Sequence, residues 1–290
     1  GGAMSIVELL SVLYNHHLRY DPKDPQWKDR DYVVLSKGHA GPSLYSTLAL
    51  HGFFDKKLLY TLNEGGTSLP SHPDRLRTPG IDATTGSLGQ GTSVAAGLGF
   101  AIHKEGSSQR VFLIVGDGEL NEGQCWEAFQ FIASYRLHEV IVIIDNNKWQ
   151  LDGRLDEVIK PFDIAEKMKA FGFHVIKADG KEEESLSNAI DEAKAMENSA
   201  VCIVMDTIKA QGIPYYYTRS DNHAPKFDEE ADREIAAQIP AIARQSEREN
   251  APKGGFLKRL FAKRHKADSP SAASMLHELN RSVVGRQQAY

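Results

Sequence analysis

An α/β architecture, a doubly wound parallel sheet, is the fold class that the 290-residue sequence predicts. Three observations carry it. Short runs of β-branched and aliphatic residues alternate with segments of helical period, as they do when buried parallel strands are joined by crossover helices. Two of these runs end in glycine- or asparagine-rich segments, and in such sheets ligands bind beyond the carboxyl ends of the strands. The length exceeds what one small core needs, so one large domain with an appendage is expected.

Ser5 followed by Glu8 has the pattern of a capping box ahead of Ile6, Leu9, Leu10 and Leu13, which predicts a first helix. Asp21-Pro22-Lys23-Asp24-Pro25 breaks it, and Tyr32 to Leu35 reads as a short buried strand followed by Ser36-Lys37-Gly38-His39. Further strands are expected at Val111 to Val115, Val140 to Ile144, Phe173 to Lys177 and Val201 to Met205. Helices are expected over 87–104, 122–136, 163–171, with Asp163 as N-cap and Gly172 past the end, and 183–197. After about residue 228 the strands stop. A charged helix to about 247 is expected, then a basic stretch from Lys253 to Lys266 and a Ser/Ala/Pro-rich one from Asp268 to Ser274. The expected division is therefore a ligand-binding domain over 1–230 and a helical, basic and partly flexible tail over 231–290. In that tail Phe256, Leu257, Leu260 and Phe261 would share a helix face beside Lys258, Arg259, Lys263 and Arg264. Such a face suits docking on a partner or an anionic surface, and a solvated tail is the alternative.

A formal charge of -5 spread over both signs argues against nucleic acid as a partner, and no apolar run approaches the ~20 residues of a membrane span. Cys125 and Cys202 lie in apolar surroundings, as reduced thiols of a cytoplasmic protein do. Gly1-Gly2-Ala3-Met4 reads as the middle of a chain, so residues upstream are expected.

The most informative segment is Gly116-Asp117-Gly118-Glu119-Leu120-Asn121-Glu122-Gly123, directly after a strand and opening a helix. Glycines allow close backbone approach, and a helix N-terminus offers N–H groups to an anion, so this is a candidate phosphate site. A carboxylate at Asp117 would repel phosphate unless a divalent cation lay between them, and magnesium is the economical choice. The next strand ends in Asn146-Asn147-Lys148-Trp149-Gln150-Leu151-Asp152-Gly153. A doubly wound sheet sets that loop beside the first. The Asn147 side-chain oxygen and the Trp149 carbonyl could then join Asp117, with two diphosphate oxygens and a water completing an octahedron. Taken alone, Gly-Asp-Gly is equally an ordinary strand-to-helix turn with Asp as a cap.

The pair of segments, with about thirty residues between Asp117 and Asn147, resembles the cofactor motif of thiamine-diphosphate enzymes. Leu35 to Ala40, Ser71-His72-Pro73-Asp74 and Thr84-Thr85-Gly86-Ser87-Leu88-Gly89-Gln90-Gly91 resemble transketolases in particular, in the same order, over residues 1 to about 230. The resemblance implies thiamine diphosphate with Mg2+ (or Ca2+), the metal on Asp117, Asn147 and the Trp149 carbonyl. Gly116, Gly118, Glu119 and His39 would face the diphosphate, Gly86 and Leu88 the rings, and Leu151 would pack on the cofactor. His72 would reach the hydroxyls of a ketose donor, and His223 would lie near diphosphate and substrate. Glu122 is either an acid favoured by the helix dipole or a carboxylate coupling paired active sites. The implied reaction transfers a two-carbon ketol unit, the cofactor acting as electron sink while histidines near neutral pH relay protons.

The pattern also departs from the family. Its Ser-Gly-His-x-Gly segment, its pyrimidine-binding domain with the activating glutamate, and its phosphate-binding arginines have no counterpart here, and Trp149 replaces an aliphatic residue. These gaps imply a split enzyme: a second subunit carrying the pyrimidine-binding and C-terminal domains, in an α2β2 assembly. The α subunit of a 2-oxo acid dehydrogenase, a deoxyxylulose-phosphate synthase, an enzyme loading a carrier-bound thiol, and a non-catalytic binding or regulatory protein on the same fold are the other readings.

Overall fold

The computed structural model describes residues 1–217, 219, 222–223, 233–235 and 237–238. Five strands form one sheet in the order β1-β2-β3-β5-β4, with every neighbouring pair parallel. They are β1 (Tyr32–Leu35), β2 (Val111–Gly116), β3 (Val140–Asn146), β4 (His174–Asp179) and β5 (Val201–Asp206). The chain steps outward from β1 to β3, passes to the edge at β4 and returns to insert β5. Each strand falls where its apolar run predicts, within one or two residues.

The alternation of side chains across the sheet builds two cores. Phe112, Ile114, Ile141, Ile143 and Ile203 pack against α1 (Val7–Val12), α2 (Gly41–Leu50) and α7 (Glu183–Ala195). Leu113, Val115, Val142, Ile144 and Cys202 pack against α3 (Gln90–Glu105), α4 (Gly123–Ser134) and α6 (Ile164–Ala170). A four-residue helix, α5 (Leu155–Val158), precedes α6. Both faces of β2 and β3 are buried, which makes them the floor on which the loops at their carboxyl ends are fixed. Gly99 lets α3 lie hard on β3: a Cβ there would fall 2.1 Å from Val140 Cγ2. The two cysteines are buried and free.

Four expectations need correction. The Ser5/Glu8 capping box does not form. Ser5 lies in a 3-10 turn, its hydroxyl donating to Gly2 O and Asp145, while Glu8 is half-buried in a helix that no side chain caps. The predicted helix over 87–104 begins only at Gln90, because Gly89 adopts a left-handed φ of 83° at its N-cap. Asp117 does not open a helix directly, since a 3-10 turn over Gly118–Asn121 intervenes before α4. Helix α2 has no counterpart among the expected helices. Eight of its ten residues are buried, so it shows no one-sided apolar stripe to read. Within the helix expected over 228–247, the described positions 233–235 and 237–238 are helical. The rest of it and the basic stretch lie outside the described residues. No described helix is long and apolar enough to cross a membrane.

Candidate active site

Register decides the geometry. Gly116 of β2 pairs with Asp145 of β3, so the two strands deliver Asp117 and Asn147 side by side beneath one cavity of about 340 Å³. Asp117 is 2% exposed. Its Oδ1 accepts the Gly118 N–H at 2.8 Å, and its Oδ2 accepts the Lys148 N–H. Lys148 reaches that position in a left-handed conformation, φ 69°, which a non-glycine residue adopts at a functional loop only when its surroundings impose it. Asn147, also buried, donates Nδ2 to Asp145 Oδ2 at 2.9 Å and accepts the Trp149 N–H on Oδ1 at 3.0 Å. Its amide is thereby oriented, and Oδ1 keeps a second lone pair. Gly118 is required by the neighbouring loop, because a Cβ there would meet Gln150 Cβ at 2.8 Å.

Burial first, and the nearby Asp145 charge second, push the Asp117 carboxyl up to about 7. No lysine, arginine or histidine among the described residues forms an ion pair with it. A buried carboxylate held only by backbone N–H groups, beside an oriented amide oxygen and the Trp149 loop, is a set of hard oxygen donors of the kind that takes a divalent cation. Such a group fits these residues: a cation would relieve the desolvated charge that now favours protonation.

A second layer, which carries no ligand motif of its own, holds these donors. Lys37 and Asp145 form an ion pair at 2.5 Å with side chains 1% and 0% exposed. Ser5 and Thr207 also donate to Asp145, and Lys37 Nζ donates to Gly2 O at 2.8 Å. Burial works to raise Asp145, but the Lys37 charge and hydrogen bond outweigh it and leave the carboxyl lowered. Glu119 serves similarly. Oε1 accepts from Ser36 Oγ and from the Gly89 N–H at 2.8 Å, and Oε2 accepts the Gly116 N–H at 3.1 Å. One carboxylate thus ties the end of β1, the start of α3 and the end of β2. Lys37 stands in the Leu35 to Ala40 segment and Asp145 at the end of an apolar strand; their pairing across the sheet is not legible locally.

The histidines divide into two groups. His39 and His223 face each other with ring centroids 5.1 Å apart, and His223 Nδ1 lies 3.2 Å from Lys209 Nζ. Burial, then the Lys37 charge, lowers His39 to about 3; burial, then Lys209, lowers His223 to about 4. Both are neutral at physiological pH. Lys209 itself, brought down to about 8 by burial, donates to Gln150 O at 2.9 Å and is a cation that sequence reading missed. His72 is exposed to the side of the cavity and does not line it. It packs on Gly86, where a Cβ would fall 2.8 Å from the His72 ring. Gly86 stands at φ 143°, and a Cβ on Gly38 would meet it at 2.7 Å, so the two glycines let three segments converge. Leu88, Gly116, Glu122 and Leu151 line the cavity with Asp117, Gly118, Glu119 and Asn147. Glu122 is exposed at the N-cap of α4 and makes no capping bond with its side chain. Leu151 is 64% exposed at the rim.

The profile described as "Transketolase, thiamine diphosphate binding domain" matches residues 1–239. This chain belongs to the transketolase family. It is 42% identical over 239 residues to SqwG, a 6-deoxy-6-sulfo-D-fructose transketolase subunit of Clostridium sp., covering 82% of this chain and 87% of that one. To a subunit of the apulose-4-phosphate transketolase of Actinobacillus succinogenes it is 36% identical over 231 residues, covering 79% of this chain and 83% of that one. The solved transketolase of Campylobacter jejuni superposes with a TM-score of 0.71 at 26% identity, over 82% of this chain and 41% of that chain. The transketolase-like fold, the thiamine diphosphate cofactor with its divalent metal, and membership as a transferase subunit follow from these likenesses.

Proposed function

We propose that this chain is the diphosphate-binding subunit of a two-chain, cytoplasmic transketolase, which transfers a two-carbon ketol unit from a ketose donor to an acceptor in an α2β2 assembly. The observation that carries the reading is Asp117, a buried carboxylate with no ion pair among the described residues, aligned with Asn147 on the cavity floor. Asp117, Asn147 and the Trp149 carbonyl hold Mg2+ (or Ca2+). Gly116, Gly118 and Glu119 shape the diphosphate end, and Glu119 does so as a brace. Gly86 and Leu88 line the ring end, and Leu151 covers the cofactor. Bound there, thiamine diphosphate supplies the electron sink for cleaving a ketose carbon–carbon bond. His39 and His223, neutral and in a half-buried pair, can each donate or accept a proton at the diphosphate and substrate side. His72, at the exposed edge beside Gly86, holds donor hydroxyls. Glu122, free of capping duty, faces the neighbouring site.

Residues 1–230 form this domain and 231–290 an appendage. The partner would supply the pyrimidine-binding and C-terminal domains. Two relatives are described as subunits, of transketolases named for 6-deoxy-6-sulfo-D-fructose and apulose-4-phosphate, which supports a division of labour between chains. The surface supports it: on α3 and at the end of α4, Phe100, Phe131 and Tyr135 meet edge-on and tilted with centroids 4.7 to 5.5 Å apart, and Tyr135 remains 47% exposed. Such an apolar cluster suits burial by another chain. The test is reconstitution. The purified chain alone should show no ketol transfer with ketose donors, and activity should appear on mixing with the partner. Full turnover by this polypeptide alone, with contamination excluded, would overturn the split-enzyme reading.

A further inference from the structure

The end of the sheet opposite the cofactor cavity carries a second cluster of ligand-type side chains. His103 stands in the last turn of α3, and His138 and Glu139 immediately precede β3. Glu139 Oε1 lies 2.9 Å from His103 Nδ1 and 3.6 Å from His138 Nε2, and the three ligand atoms all fall within 4.8 Å of one another. A tetrahedral zinc ion with bonds of about 2.0–2.1 Å sets its ligand atoms roughly 3.3 Å apart, a value that the two measured separations bracket. Glu139 is 5% exposed, and its Oε2 is buried with no hydrogen-bond partner among the described residues. A carboxylate oxygen left in that state stays desolvated and uncompensated unless something binds it. Arg110 turns its two terminal nitrogens to the carbonyls of His138 and Lys194, at 2.6 and 3.1 Å, rather than to the carboxylate.

We propose that His103, His138 and Glu139 form a binding site for a divalent transition-metal ion, zinc foremost, separate from the cofactor's metal. Two imidazoles and one carboxylate make a borderline-soft donor set that selects zinc over magnesium, whereas the Asp117 site offers oxygen alone. His103 and His138 are partly exposed, with side chains at 38% and 25%, so an ion can enter and a water can complete the tetrahedron. The backbone of Glu139 is fixed, its carbonyl accepting the Val111 N–H at 2.8 Å. A bound ion would therefore pin the carboxyl end of α3 to the start of the two central strands, a staple within the scaffold.

The test uses the full chain, stripped with a chelator and then kept in saturating magnesium and thiamine diphosphate to occupy the first site. Titration with Zn2+ should give one equivalent per chain and raise the temperature of thermal unfolding. His103→Gln and His138→Gln should each weaken binding at least about tenfold, since even outer-shell losses have effects of that order. Cobalt(II) added to the unmutated chain should give the strong visible absorption of a tetrahedral site, a readout that needs no variant to fold. The proposal fails if the cobalt spectrum is weak and octahedral, if no stoichiometric zinc binds, or if a chain carrying both substitutions binds zinc as tightly as the parent.

Discussion

Near the amino end of the sheet, Asp31 accepts from Arg19 Nη2 at 2.8 Å and from the Arg110 N–H at 2.9 Å, and Asp82 accepts from Arg30 Nε at 3.0 Å and from the Val33 N–H. At the carboxyl end Asp117 is as deeply buried, yet it is held by two backbone N–H groups and no arginine. The same side chain is architecture in one place and, in the proposed reading, a metal ligand in the other. What separates them is whether the fold itself provides the countercharge. Asp145, only two residues from Asn147, belongs to the first kind through Lys37, and it accepts the Asn147 amide N–H on the cavity floor.

Removing the built-in countercharge should produce the largest effect. Lys37→Met would leave Asp145 ionised, buried and unpaired, and breaking a buried pair in this way destabilises by about 3–5 kcal/mol. Denaturant unfolding of the metal-free chain measures it. The double substitution Lys37→Met with Asp145→Asn should recover much of the loss, because neither charge remains. A single-variant loss below about 1 kcal/mol would show that the pair does not brace the site.

Glu8 sharpens the contrast from the other side, as a half-buried residue with a shielded carboxyl oxygen and no ion pair among the described residues, away from the cavity lining. Burial raises it from 4.5 to about 7, and Oε2 has no partner among the described residues. The folded state therefore binds its proton more tightly than the unfolded chain does. Its contribution to stability is complete below pH 4.5 and is lost as pH rises through about 7. The loss is at most about 3 kcal/mol, at roughly 1.36 kcal/mol per pKa unit. Glu8→Gln should remove that part of the pH dependence while leaving stability at acid pH nearly unchanged. An identical pH profile in the variant would show that Glu8 is ionised in the native state.

These residues also mark what the sequence could and could not say. The strands were legible because β2 and β3 are apolar on both faces, and the two loops because Gly-Asp-Gly and Asn-Asn directly follow them. Asp117 and Asn147 were thus located by position along the chain alone. Lys37 and Asp145 were not, since their partnership spans 108 positions and depends on strand order. The Ser5 and Glu8 pattern misled for a related reason. Tertiary partners, Asp145 for one and burial beside Gln211 for the other, outweighed the local cap. Helix α2 escaped because burial on nearly every side erased its period.

Asp117→Ala tests the ligand side of the comparison. Affinity for thiamine diphosphate with magnesium, followed by isothermal titration in the partner's presence, should fall by at least about an order of magnitude, because the shared ion loses a protein ligand. Stability of the metal-free chain at about pH 8 should not fall with it. There the substitution removes an unpaired buried charge, whereas Asp31→Ala at the other end would strand Arg19 and lower stability. Near-normal cofactor affinity in Asp117→Ala would reject the metal assignment.

The smallest effect should come from Leu151, where the fold leaves an apolar side chain in water at the cavity rim. It is 64% exposed, so Leu151→Ala should change the stability of the chain by no more than about 0.5 kcal/mol, the usual range for a surface site. If its role is to cover bound cofactor, the methyl groups are buried only in the complex. Losing the equivalent of about one fully buried methylene then weakens binding by roughly 0.8 kcal/mol, about fourfold. The two measurements must separate: unchanged unfolding with a few-fold weaker cofactor binding places Leu151 on the ligand. Equal cofactor affinity in parent and variant would return it to the surface, and a large stability loss would mean that the rim is packed more tightly than its exposure indicates.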